Sequence, residues 1–193
     1  MKNFCNQSVE ERYGVKISKD GLSILWSTIV SIFLIGGVTG SLSASYLANQ
    51  IGRKGALAVG NICGIIGGIM FLLVPTLNSI ELFLLGRIFV GLSGGLATSL
   101  LPTYITEAAP IKLRGAVGVL CQLGITCGVL LGQIAGLGSV LGTKDHWNYM
   151  LAAYAPLCAA ALLIMFVLPE SPKYLYVVKE NREDAIKGWL EVF

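Results

Sequence analysis

Long apolar runs without a single charge alternate along this chain with short breaks that carry nearly all of its ionisable residues. Residues 21–52 hold no charged side chain over 32 positions, residues 55–80 none over 26, residues 115–143 none over 29 and residues 147–169 none over 23. A fifth stretch, residues 80–103, is interrupted only by Glu81 and Arg87. A helix rising about 1.5 Å per residue crosses the apolar core of a bilayer in about 20 residues. Each run meets that length, so the pattern predicts five transmembrane helices, at about residues 24–48, 55–74, 80–103, 115–141 and 147–168. The expected fold class is an all-α membrane protein.

Small residues sit inside these runs at helical spacing. Gly36 and Gly40, Gly60, Gly64 and Gly68, and Gly91 and Gly95 are each four apart. That spacing lets helix backbones approach closely in a membrane. The fourth predicted helix repeats the device at Gly124, Gly128, Gly132 and Gly136 and adds something else. Gln122 and Gln133 lie eleven positions apart, which at about 100° per residue leaves them roughly 20° apart around the axis. Ile125, Thr126 and Val129 share their sector. Amides at membrane depth are costly unless they meet another helix, water or a substrate. They donate and accept, so a substrate rich in hydroxyl groups suits them.

The breaks supply orientation. Residues 1–20 read as an extramembrane loop holding a glycosylation sequon at Asn6. Residues 75–79 read as a tight turn, residues 102–113 as a loop and residues 141–146 as a second short loop, beyond which Trp147 and Tyr149 suit the headgroup level. Beyond Pro169 the composition turns polar, and Ala185, Ile186, Trp189, Leu190 and Phe193 form one face of an amphipathic helix opening near Asn181. Eight Lys and Arg, including Arg53, Lys54, Lys112, Arg114 and Lys173, fall on one side of the membrane, against five on the other. The richer side is expected to be cytoplasmic, which places Asn6 outside.

Composition narrows the function. The 193 residues are 54% hydrophobic and 13% charged, far too few charges to cover a soluble domain of this size. A net charge of +3 with no basic stripe gives no nucleic-acid signal. The five Cys have no metal-ligand spacing, so no metal or cofactor site is expected. His146, the single histidine, has no nucleophile–base arrangement around it, and no catalytic residue or enzymatic activity is expected.

Three charged groups gather on the predicted cytoplasmic side. Arg53 and Lys54 occupy a very short turn, where carboxylates or helix C-terminal carbonyls can meet them. Glu107 and Arg114 bracket the next break seven residues apart, each free to pair with another loop. Glu170 and Lys173 form the third group. An ion-pair network made in only one of two conformations biases their populations, since a few kcal/mol decides the balance. Solvated loop charge is the alternative. Arg87, inside the third predicted span, either snorkels to the interface or pairs with Glu81.

Taken together, these motifs resemble the sugar-porter branch of the major facilitator superfamily, and within it animal facilitative glucose transporters. The resemblance rests on Asn49-Gln-Ile-Gly-Arg-Lys54, on Pro102-Thr-Tyr-Ile-Thr-Glu-Ala-Ala-Pro110 with Leu113-Arg-Gly-Ala-Val-Gly118, on Gln122-Leu-Gly-Ile-Thr-Cys-Gly128 and on Pro169-Glu-Ser-Pro-Lys-Tyr-Leu175. Their order and spacing extend it over nearly the whole chain. It implies an N-terminal bundle in which residues 1–20 are an extracellular loop, residues 21–168 are family helices 2 to 6, and residues 169–193 open an intracellular helical domain. Family helix 1 and the C-terminal half of the carrier are then missing partners. By resemblance, Gln122, Ile125 and Val129 line the sugar cavity, and Gln133 is added because it shares their sector. Arg53, Arg114, Glu107 and Glu170, with Lys54 and Lys173 beside them, match a network that closes the inner side. Asn49 and Ser45 depart from the commonest family pattern, and Lys173 replaces the usual Arg, turning a bidentate pair into a point contact. The implied activity is facilitative hexose transport by alternating access in the plasma membrane, as part of a longer carrier. Two other readings stay open: a proton-coupled sugar symporter, and a truncated membrane protein that does not transport but pairs with full-length carriers.

Overall fold

A computed structural model of the chain describes residues 19–110, 112–137, 147–168, 170 and 174. The described residues are helical apart from the short connections. Helical hydrogen bonding runs from Lys19–Leu77, but Gly52, at φ 90° and ψ 166°, breaks it. We call the two parts α1, 19–51, and α2, 53–77. Then follow α3 (Ile80–Ala108), α4 (Arg114–Ala135), α5 (Trp147–Ala152) and α6 (Tyr154–Val167). Among the described residues four helices are long and apolar enough to cross a membrane, the first of 58 residues before its break is counted. Unbroken, that helix would be ~87 Å long, nearly three bilayer cores. The break lets it cross out and back, so two of the five predicted spans are joined by one residue. This is a multi-pass integral membrane protein.

Three boundaries differ from the sequence reading. The turn after α2 is shorter than residues 75–79, because the helix continues through Pro75 to Leu77 and reverses at Asn78, whose φ is 44°. Asparagine is one of the few residues other than glycine that takes this left-handed conformation readily. The loop expected at 102–113 begins later, because α3 continues through Pro102 to Ala108. The last span is split at Ala153. Pro156 lacks an N–H and its ring would collide with the carbonyl of Ala152, so a helix restarts with Pro156 in its first turn.

The core forms around α3. Phe71 of α2 meets Phe83 of α3 edge to face at 5.6 Å, beside buried Ile29 of α1 and Val74. Nearer the Gly52 turn, Ala44, Ala48, Ala56, Leu57, Leu96 and Leu100 make a second buried cluster. Glycine allows these approaches. A Cβ on Gly36 or Gly91 would run into the backbone carbonyl of Ile88 or Phe33 respectively, and one on Gly95 into that of Gly37. At the join of α2, α3 and α6, the Ser93 hydroxyl pairs with the Tyr154 hydroxyl at 3.1 Å, and a Cβ on Gly64 would lie 2.6 Å from the Cys158 Sγ. α4 is different. None of its residues is buried, and a Cβ on Gly124, Gly128 or Gly132 would meet nothing within 4 Å. Three of the four glycines expected to bring α4 against a neighbour face open space in this chain, and at Gly136 a Cβ would lie 3.5 Å from the Met150 methyl.

Candidate functional site

Breaking a helix at a single residue leaves carbonyls at one new end and N–H groups at the other without partners. At Gly52 three of these groups find side-chain partners. The Tyr174 hydroxyl donates to the Gln50 carbonyl at 3.3 Å, and Arg53 Nη1 donates to the Ala48 carbonyl at 3.4 Å. The Lys54 N–H donates to Glu170 Oε1 at 3.0 Å, so Glu170 caps the start of α2 from beyond the end of α6. Lys54 returns the favour. Its Nζ donates to the carbonyls of Leu168 at 2.6 Å and Phe166 at 3.4 Å, at the C-terminal end of α6. A carboxylate at a helix start and an ammonium at a helix end each match the local dipole, an effect of about 0.3–1 kcal/mol. Gly52 permits this packing: a Cβ there would lie 2.7 Å from Glu170 Oε2.

Arg53 makes the second link. Because α3 continues past Pro102, Glu107 sits in its last turn rather than in a loop. Arg53 Nη2 donates to Glu107 Oε1 at 3.3 Å, and Nε lies 3.1 Å from Oε2. The Nε contact is electrostatic, without hydrogen-bond alignment. The two side chains are 14% and 9% exposed, so the pair is largely out of water. On its other side the Arg53 guanidinium lies over the Tyr174 ring, 5.3 Å from its centre. A guanidinium this close to an aromatic face gains about 0.5–2 kcal/mol, more as water is excluded.

The structure therefore gathers Arg53, Lys54, Glu107 and Glu170 at one turn. Arg114 is not part of the Arg53–Glu107 contact: it is exposed and its Nε donates to the Ala109 carbonyl at 3.3 Å, closing its own loop. Lys173, Asn6, the amphipathic face near 181–193 and His146 lie outside the described residues, and so do the side chains of Trp147 and Tyr149. In α3, Arg87 lies over the Phe83 ring at 5.3 Å, while Glu81 accepts from the Ser79 hydroxyl at 2.8 Å.

The amide face of α4 is laid out as its helical period requires. Gln122, Ile125, Val129 and Gln133 are all exposed, Ile125 at 42% and Val129 at 56%. The Thr126 hydroxyl is turned inward, donating to the Gln122 carbonyl at 3.0 Å. The Gln122 side chain is thus left in the open beside an apolar strip.

Residues 1–191 match the family model described as "Sugar (and other) transporter". The chain belongs to the sugar transporter family. Within it the chain resembles animal facilitated glucose transporters. It is 40% identical to the Equus caballus solute carrier family 2, facilitated glucose transporter member 5, covering all of this chain and 40% of that protein. The Gallus gallus member 3 is 38% identical over 94% of the chain and 37% of its own length. The chain spans about 40% of the length of the curated relatives it matches. In fold it resembles the Escherichia coli xylose transporter XylE in a partially occluded, inward-open conformation, with TM-score 0.80 over 99% of this chain and 51% of that one at 24% identity. A structure titled as the proton:xylose symporter XylE bound to 6-bromo-6-deoxy-D-glucose superposes with TM-score 0.72 at 26% identity, over 98% of this chain and 44% of that one.

For this member of the sugar transporter family, sequence reasoning missed two features of the turn. Glu170 reaches a backbone N–H rather than a basic side chain. Tyr174, only 3% exposed, is the ring on which Arg53 rests. The available signal was Tyr174 four residues beyond Glu170 in a polar segment, a spacing that puts both on one side if the segment is helical.

Proposed function

We propose that this chain forms part of a facilitative hexose carrier of the plasma membrane that works by alternating access. The observation that carries the reading is α4: a spanning helix without charge beyond Arg114 and with no buried residue, which holds exposed Gln122 and Gln133 on one side. In a chain spanning about 40% of its relatives' length, such a face is the natural meeting place of sugar and the remaining helices. Gln122 would hydrogen-bond a sugar hydroxyl, Ile125 and Val129 would shape the pocket wall, and Gln133 would extend the polar track about 16 Å along the axis. Arg53, Lys54, Glu107 and Glu170 would act as the inner latch, with Arg114 and Lys173 flanking it. The latch holds α2, α3 and α6 together while the outer side is open, and its release lets the inner side open. The test is uptake of labelled hexoses by the complete carrier in proteoliposomes without an ion gradient. Saturable, counterflow-competent uptake supports the reading, and its absence in folded carrier rejects it.

A second reading has one observation of its own. A solved neighbour at 26% identity is titled a proton:xylose symporter. Proton coupling requires a group that titrates within the membrane; the Arg87 guanidinium of α3 stays protonated and is not such a group, so the coupling acid would lie elsewhere in the carrier. Uptake that collapses with a protonophore favours symport, whereas unchanged uptake favours facilitation.

A further inference from the structure

The Gly52 turn carries two links between different helix pairs. Arg53–Glu107 joins α2 to α3, and the Lys54–Glu170 exchange joins α2 to the end of α6. They share no side chain. Tyr174 bears on the first and borders the second at Gly52. Its ring lies beneath the Arg53 guanidinium at 5.3 Å, its hydroxyl donates to the Gln50 carbonyl at 3.3 Å, and its Cε1 would be 3.0 Å from a Cβ on Gly52. The ring is thus held by its face and its tip, it passes close to Gly52, and it is buried. Tyr174 also follows Glu170 by only four residues, so a movement that withdraws one from the turn carries the other with it.

We propose that Tyr174 is a positioning residue that couples the two links, so that Arg53–Glu107 and Lys54–Glu170 make and break as one unit. The inference rests on the latch reading given above. Arg53 has a long, flexible side chain, and its bonds to Glu107 and, at 3.4 Å, to the Ala48 carbonyl leave the face of its guanidinium unsupported. A flat aromatic surface under the guanidinium removes the other orientations and excludes water from the pair. When the segment bearing Glu170 leaves the turn, the ring goes with it. Arg53 is then rehydrated on that side and its hold on Glu107 weakens. A latch built this way has two states rather than a series of partly open ones.

A double-mutant cycle in the complete carrier tests this, with the inward-open to outward-open ratio read by spin-label distances across the cytoplasmic face. Glu107→Gln and Glu170→Gln are each expected to shift the ratio by about five- to thirtyfold toward inward-open. Combined, the second should add no more than about twofold. In a Tyr174→Leu background the two effects should become additive, while Tyr174→Phe, which keeps the ring, should preserve the coupling. Should Tyr174→Leu fail to reach the membrane, Arg53→Lys serves instead, since it keeps the charge but loses the stacked plane. Additive effects with Tyr174 in place, or coupling that survives both Tyr174→Leu and Arg53→Lys, overturn the proposal while leaving the latch intact. No shift from Glu107→Gln and Glu170→Gln alone rejects the latch itself.

Discussion

Arg53 and Glu107 stand 54 residues apart in the chain and meet with two nitrogen–oxygen contacts, at 3.1 and 3.3 Å. The pair exists because two helices end where they do. α1 stops at Gly52, which puts Arg53 on the first turn of α2, and α3 runs through Pro102, which carries Glu107 to the same level. Removing one partner of a largely buried pair leaves a charge without compensation, at a cost of about 3–5 kcal/mol. Arg53→Ala and Glu107→Ala should each lower the melting temperature of the purified carrier and bias it toward inward-open. The exchange Arg53→Glu with Glu107→Arg should recover part of the loss. No recovery together with two mild single effects would mean the pair is a bystander.

Gly52 should tolerate no side chain. At φ 90° and ψ 166°, a region essentially open only to glycine, an L-residue is strained by about 1–3 kcal/mol. A Cβ would also collide with Glu170 and Tyr174, which cap the broken helix. Gly52→Ala is expected to reduce the folded fraction strongly, and Glu170→Ala should not restore it, since the strain and the contact with Tyr174 remain. Fluorescence size-exclusion profiles of the complete carrier measure both.

The reciprocal caps can be altered without changing either member of the ion pair. Lys54→Ala frees the C-terminal carbonyls of α6 and should cost about 1 kcal/mol, as should Glu170→Gln, which weakens the cap on the Lys54 N–H without removing it. Lys54→Arg should retain most of the stability, because the carbonyls need a cation rather than a particular shape. Thermal unfolding of detergent-solubilised carrier distinguishes these variants. A Lys54→Arg loss as large as that of Lys54→Ala would show that the ammonium geometry matters more than its charge.

Glycines divide into two sets with different expected outcomes. Gly36, Gly91 and Gly95 face backbone across the α1–α3 contact, so Ala at any of them should destabilise the bundle, by about 1–3 kcal/mol as overpacking does. Gly124, Gly128 and Gly132 face open space within this chain, so Ala there should leave these helices folded. If α4 meets the remainder of the carrier through that face, Gly124→Leu should preserve the fold of this part yet impair assembly or uptake of the whole. Full uptake with Gly124→Leu would mean the glycine face stays uncovered.

Much of this was legible in the sequence, for reasons that differ along the chain. Charge-free runs longer than a bilayer is thick fix a spanning helix without tertiary knowledge, and glycines four apart mark the contact face of α1 and α3, as at Gly36 and Gly91, though not of α4 within this chain. The sequence also allowed Lys54 to meet either carboxylates or helix C-terminal carbonyls, and the structure selects carbonyls for its ammonium. The extent of α3 was not legible, because Pro102 reads as a helix breaker while in a packed helix it costs one hydrogen bond. Nor was the choice made by Glu107, seven residues from Arg114 but bonded to Arg53, since which loops face each other follows from the break at Gly52. The Tyr174 ring escaped notice because a polar, proline-flanked segment gives no periodic signal.

The face of α4 is the most consequential part of the account, and Gln122 is its centre. Hexose uptake kinetics of Gln122→Ala in the complete carrier, normalised to surface protein, test it most directly. Loss of one hydroxyl-binding amide should lower uptake several-fold, on the order of the tenfold that 1.4 kcal/mol represents, while surface expression persists. Unchanged KM and maximal rate with normal surface expression would remove Gln122 from the sugar path and contradict the role assigned to α4.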